Sequence, residues 1–281
     1  MSALDAIRQA GLYGRTVARV AQRGFRERGG DPAFATERIV FVIGSPRSGT
    51  TFLAGAVGSQ PGFVDLGEVR PVKANIARWA SLPESEAAAE LRSTLELVRR
   101  LSFVRDLRPV EQTPELSFVV GAAVRAYPQA TVLHIVRDGR DVVCSLLERG
   151  WLSGGRAGGD DARLPYGEEA RFWVESDERS AFEHESDAAR AAWAWRAYVT
   201  GARSVRERVL EVRYEALAES APRIAEHLGV EPSALQRSLV QFHDRSIGRF
   251  QRDLSVEQLA DVERIAGSLL RELGYAETGS G

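Results

Sequence analysis

Residues 44–51, Gly44-Ser45-Pro46-Arg47-Ser48-Gly49-Thr50-Thr51, set two glycines, several hydroxyls and one guanidinium in a single short loop. Glycine lets successive backbone N–H groups turn toward one point, and the apolar stretch Phe52 to Val57 reads as a helix whose N-terminus opens at that point. Such a place attracts phosphate-like anions. The spacing is that of a Walker A loop, G-x-x-x-x-G-K-[ST], with Thr50 standing at the lysine position. Nucleotide triphosphatases hold the β and γ phosphates with that lysine, so its absence argues against ATP or GTP hydrolysis. Arg47 is the replacement cation, and its planar fork suits bidentate contact with an oxyanion.

A second anion-binding set follows in the run Val136-Arg137-Asp138-Gly139-Arg140-Asp141 to Arg149. Arg137 closes a strand, while Ser145 and Arg149 lie four apart and share one helix face. All three can meet one anion, although an arginine-rich turn is by itself a weak signal.

The elements that must position these groups alternate strand and helix. Ile39 to Ile43 reads as a strand buried on both faces, Phe63 to Leu66 as a short one ending in Gly67-Glu68, Thr131 to Val136 as another continuous β-branched strand, and Val209 to Val212 as the last. Between them, residues 70–101 read as helical, divided at Ser81-Leu82-Pro83. The segment Pro109-Val110-Glu111-Gln112-Thr113-Pro114 comes next and is given no regular element, then a helix to about Tyr127, with Pro128-Gln129 as the break. A helix also follows the turn ending at Asp141, through Ser145 to Arg149, and helices fit 185–207, 217–228, 233–243 and the stretch from its Ser255 cap to about Leu273. Trp193, Trp195 and Tyr198 form a stripe expected in the core. This alternation predicts an α/β fold: a P-loop-type parallel sheet with helices on both faces, binding ligands at the carboxyl ends of its strands.

Residues 1–37 predict a basic amphipathic helix and a linker, with the helix packed on the domain edge in preference to a membrane surface, so that peripheral membrane contact stays open. Residues 38–275 form the expected domain. The polar, glycine-broken segment 150–184 is either a lid or acceptor-binding insertion or a disordered loop, and 276–281 is a disordered tail.

Composition narrows the class. The chain has 281 residues and a formal charge of −2, giving no nucleic-acid footprint. One cysteine, Cys144, forbids an internal disulfide, and His134, His184, His227 and His243 are not spaced as metal ligands. No apolar run reaches the ~18 residues of a membrane helix, and no signal-peptide core is present. A cytoplasmic protein is expected, and the sequence is silent on oligomeric state. Of 37 basic residues a single one, Lys73, is lysine, for which genome composition is explanation enough.

Taken together, GSPRSGTTFL, VRDGRDVVCSLLER, VRYEAL and SIGRFQRDLS resemble, in order and from about residue 39 to 275, the sulfotransferases that use 3'-phosphoadenosine-5'-phosphosulfate (PAPS). The bacterial and tyrosylprotein branch is the most similar. The resemblance implies that Arg47, Ser48, Gly49, Thr50 and Thr51 hold the 5'-phosphosulfate and that Arg137, Ser145 and Arg149 bind the 3'-phosphate. It also implies that Tyr214 lies near the nucleotide and that the loop around Arg249 closes over it. The Gly-Glu pair of that branch, which carries the general base, falls on Gly67-Glu68. A carboxylate within hydrogen-bond reach can take the proton of an attacking hydroxyl. His184 is the reserve candidate. Many bacterial relatives read Glu-Lys-Thr-Pro where this chain has Glu111-Gln112-Thr113-Pro114. Either Arg70 or Lys73 replaces the missing cation, or turnover is slower, or the chain binds nucleotide without catalysis. In-line transfer with arginine on the sulfate oxygens predicts no metal. The expected acceptor is a hydroxyl of a small molecule, glycan or lipid. The rivals are a P-loop small-metabolite kinase, which would need magnesium and ATP, and a non-catalytic nucleotide-binding relative.

Overall fold

The computed structural model describes residues 3–24, 37–152, 171–240 and 246–275. The linker expected after the first helix, the middle of the 150–184 insertion and the tail 276–281 lie outside these residues.

Five strands, β1 (Val40–Ile43), β2 (Phe63–Gly67), β3 (Arg108–Glu111), β4 (Thr131–Val136) and β5 (Val209–Arg213), pair in the order β2-β3-β1-β4-β5. Every pairing is parallel. Parallel strands need long crossovers, and here each is helical. The helices are α1 (Ala3–Gly24), α2 (Thr50–Gly58), α3 (Arg70–Lys73), α4 (Ile76–Ala80), α5 (Glu84–Leu101), α6 (Val120–Ala126), α7 (Gly139–Arg149), α8 (Arg179–His184), α9 (Asp187–Ala202), α10 (Ala221–Leu228), α11 (Pro232–Leu239), α12 (Phe250–Asp253) and α13 (Val256–Glu272).

Strand β1 shows how its sequence builds both faces. Phe41 and Ile43 enter a core shared with Leu91, Leu95 and Val98 of α5, whereas Val40 and Val42 enter a core shared with Leu53 and Val57 of α2. Successive side chains alternate faces, so a strand apolar throughout is buried on both. A third cluster joins Val142, Val143 and Leu146 of α7 to α9 and α13. The expected parallel α/β sandwich is therefore the fold observed.

Three readings change. The segment at Pro109 is a strand, β3, and it lies inside the sheet between β2 and β1. The single helix read from 114 to 127 is a 3₁₀ turn, Pro114–Phe118, followed by α6. The helix read over 185–207 stops at Ala202 and tightens into a 3₁₀ segment, Arg203–Arg208, with non-helical Val205 inside it. The Ser255 cap is present as a full capping box with Gln258.

Candidate active site

The loop after β1 is fixed by close backbone approach. Gly44 has φ 147°, and a Cβ there would lie 2.4 Å from the Ile135 carbonyl oxygen. Gly49 has φ 93°, and a Cβ would lie 2.7 Å from the Tyr214 ring. Between them Arg47 adopts φ 71°, a left-handed conformation that costs a non-glycine residue about 1–3 kcal/mol and that clusters at binding sites. Gly49 also serves as N-cap of α2, which has neither a side-chain cap nor an acidic residue in its first turn. The positive end of that helix dipole is thus left to a ligand or solvent.

Around the loop stand the residues of the second set. Arg47 Nε donates to Ser145 Oγ at 3.0 Å, and its guanidinium lies 5.9 Å from the Trp151 ring. Arg137, buried at the end of β4, donates through Nη1 to the Arg47 carbonyl at 3.1 Å and through Nη2 to the Ser246 carbonyl. Its guanidinium stacks 4.4 Å from the centre of the Tyr214 ring, and Trp195 Nε1 donates to its carbonyl oxygen at 3.1 Å. Tyr214 OH meets Ser246 Oγ at 3.0 Å. Arg149 lies on the exposed last turn of α7, one turn from the buried Ser145. Arg249 is held elsewhere in this structure, in ion pairs with Glu148 and, at 2.8 Å, with Asp253.

Two buried polar atoms here have no hydrogen-bond partner among the described residues: Ser48 Oγ and Arg137 Nε. Buried donors are almost always satisfied, and each unmet one costs about 1–3 kcal/mol. Their position at a loop rich in N–H donors fits an oxyanion group, such as the phosphates of a nucleotide.

Carboxylates gather at the neighbouring strand ends. Glu68 follows β2, and its Oε2 lies 2.8 Å from Lys73 Nζ. Lys73 is nearly inaccessible and also lies 3.4 Å from Glu115 Oε1, to which Tyr198 OH donates at 3.2 Å. Arg70, half-buried, begins the same short helix α3. Gln112 connects the two halves: its Oε1 accepts from Thr51 Oγ1 at 3.4 Å, and its N–H donates to the Gly67 carbonyl at 3.4 Å. Glu111, wholly buried, accepts from the N–H groups of Val69 and Thr113 and from the Thr113 hydroxyl. Burial nevertheless pushes its carboxyl up to about 7, against the pull of those hydrogen bonds.

The structure therefore brings Arg47, Ser48, Gly49, Arg137, Ser145 and Tyr214 together around the loop, and joins Glu68, Lys73, Gln112 and Thr51 beside it. The reserve base His184 is exposed on α8, with Nδ1 2.6 Å from the Ser180 carbonyl of its own helix. Sequence reading missed Glu115, although it directly follows the Glu111-Gln112-Thr113-Pro114 segment. It also missed Asp141, whose carboxylate accepts from Gly248 N at 2.8 Å and Phe250 N at 3.0 Å and so ties the 246–250 loop to α7. The DGRD run was a usable signal for Asp141.

The profile of the sulfotransferase family matches residues 40–233. Sulfotransferase STF9 from Mycobacterium avium is similar in structure, with TM-score 0.52 and 14% identity over 94% of this chain and 83% of that one. Mouse sulfotransferase SULT7A1 complexed with PAP is similar with TM-score 0.51 and 17% identity, over 85% of this chain and 87% of that one. At these identities the likeness speaks to the fold. No curated protein matches the chain.

Proposed function

The chain belongs to the sulfotransferase family, and from that premise we propose that it transfers the sulfuryl group of PAPS to a hydroxyl of a small-molecule, glycan or lipid acceptor. The products are adenosine 3',5'-bisphosphate and a sulfate ester, and residues 38–275 form the catalytic unit. PAPS supplies an activated sulfur whose bond to the 5'-phosphate breaks as the acceptor oxygen bonds to sulfur.

In this reading Arg47, Ser48, Gly49, Thr50 and Thr51 cradle the phosphosulfate end. Arg47 presents a guanidinium, Ser48 presents its unmet hydroxyl, and the uncapped start of α2 presents the positive end of its dipole. Arg137, Ser145 and Arg149 take the 3'-phosphate, with Tyr214 against the nucleotide and the Arg249 loop over it. Glu68 receives the proton of the acceptor hydroxyl, and the Lys73 ion pair orients its carboxylate. Gln112 reaches the loop through Thr51 and donates no charge to the leaving phosphate.

The observation that carries the reading is the pair of buried donors without a hydrogen-bond partner among the described residues, Ser48 Oγ in the anion-type loop and Arg137 Nε at the end of β4 beside it. The test is transfer of labelled sulfate from PAPS to a library of hydroxyl acceptors. We expect turnover by the native protein, and a loss of about 10²–10⁴ in kcat for Glu68→Gln with bisphosphate affinity retained. Absence of transfer to every acceptor, with undiminished bisphosphate binding, would favour the non-catalytic relative. Magnesium-dependent binding of ATP in its place would favour the kinase.

A further inference from the structure

Helix α1 lies outside the segment matched by the family, which begins at residue 40. It packs on β2, α3 and α5, with Val20 fully buried in the core beside α5. Two of its arginines reach over the end of β2. Arg19 Nη2 donates to the Leu66 carbonyl at 2.9 Å and to the Glu68 carbonyl at 2.5 Å. Arg23 Nη1 donates to the Asp65 carbonyl at 3.0 Å and pairs with Asp65 Oδ2 at 2.6 Å.

The backbone they hold is irregular. Pairing between β2 and β3 shifts register between Asp65 and Gly67, and Gly67 adopts φ 62°. Asp65 Oδ1 accepts from Gly67 N at 2.7 Å, and a Cβ on Gly67 would meet Arg23 Nη1 at 3.1 Å and Arg19 Cζ at 3.3 Å. Bulges of this kind bend a strand and re-aim the next side chain. Here the next side chain is Glu68. All four carbonyls from Asp65 to Glu68 are occupied: three by the α1 arginines, and Gly67 by Gln112 N at 3.4 Å.

We propose that Arg19 is a positioning residue for the carboxylate of Glu68, so that the N-terminal helix completes the active site from outside the family's shared segment. The inference rests on the reading of Glu68 as base. Lys73 holds the carboxylate from the side-chain end, and Arg19 holds the peptide that carries it. Released from Arg19, the strand end keeps its bulge but loses a donor that fixes where Glu68 starts, and a misplacement near 1 Å can cost up to about 10²-fold in rate.

The test is a double-mutant cycle. Arg19→Met keeps the apolar stem and removes the donors. It should lower kcat between about tenfold and a hundredfold, with the affinity for adenosine 3',5'-bisphosphate, measured by calorimetry, unchanged. On a Glu68→Gln background the same substitution should change the residual kcat less than about twofold, because groups acting through one another are non-additive. Arg19→Lys, or added guanidinium ion with Arg19→Met, should recover part of the rate. Equal losses on both backgrounds, parallel loss of bisphosphate affinity, or an unchanged kcat for Arg19→Met would overturn the proposal. Full transfer by Glu68→Gln alone would overturn the base assignment, and the positioning role with it.

Discussion

Gln112 sits 4% exposed between the loop helix and the Glu68 strand end, bringing a carboxamide to a place where the resemblance expects a lysine. The lone lysine does not substitute freely, because Lys73 already lies against two carboxylates, Glu68 and Glu115. Under the proposed reading, charge on the leaving phosphate then rests with Arg47 and the helix dipole. A cation at 112 acts where charge develops, so Gln112→Lys should raise kcat by about tenfold, equivalent to ~1.4 kcal/mol, with little change in acceptor KM. Single-turnover transfer from PAPS would measure it. An unchanged or lower rate would mean that the present residues already neutralise the leaving group. Arg47 makes the complementary prediction. Arg47→Lys keeps the charge but loses the fork and the contact to Ser145 Oγ, and bisphosphate affinity should fall by about 1.5–3 kcal/mol, or roughly 10- to 150-fold, in a calorimetric titration.

Strand β3 shows how an interior element can escape sequence reading while carrying a buried ionisable group. Pro109 lacks an N–H and normally marks a turn, yet here it pairs opposite Val64 in a four-residue strand. Strands β1 and β4 were legible because continuous β-branched runs have no other comfortable home; β3 is too short and too polar to announce itself. Its last residue, Glu111, has a folded-state value near 7, raised from 4.5 by burial. The folded protein therefore binds this proton more tightly than the unfolded chain. The stabilisation is fully present below about pH 4.5 and is lost as pH rises through about 7. Glu111→Gln removes that titration. The stability of the native protein relative to the variant should fall between pH 5 and pH 8 by on the order of a few kcal/mol, read from urea unfolding at each pH. A difference that is flat with pH would show that Glu111 stays ionised. The same contrast holds for the site. Arg47, Glu68 and the Arg137 set stood in recognisable local spacings. Arg19 acts on backbone carbonyls 47 and 49 residues away, and no local pattern records such a contact.

Across the whole molecule, the proposed donor region draws on distant parts of the chain. The loop after β1 is braced by Arg137 from the end of β4, and Tyr214 from the end of β5 closes over Gly49. The 246–250 loop is tied back to α7 through two N–H donors to Asp141, contacts spanning 107 and 109 residues. The strand order places β1 centrally, and the adjacent strands β1 and β4 send their crossovers in opposite directions, to β2 and to β5, so the loop opens at the point where the sheet reverses its winding. A ligand seated there would bind the folded chain and not the unfolded one, and its binding energy would appear as stability. At a hundred times its dissociation constant, adenosine 3',5'-bisphosphate should add about 2.7 kcal/mol, which for a chain of this length raises Tm by about 5 °C. Adenosine 5'-phosphate at the same concentration lacks the group that Arg137, Ser145 and Arg149 are proposed to hold, and should give a shift below about 1 °C. Differential scanning calorimetry distinguishes the cases. Equal shifts from the two nucleotides would remove the 3'-phosphate from the Arg137 set while leaving the loop's own claim on the 5' end intact.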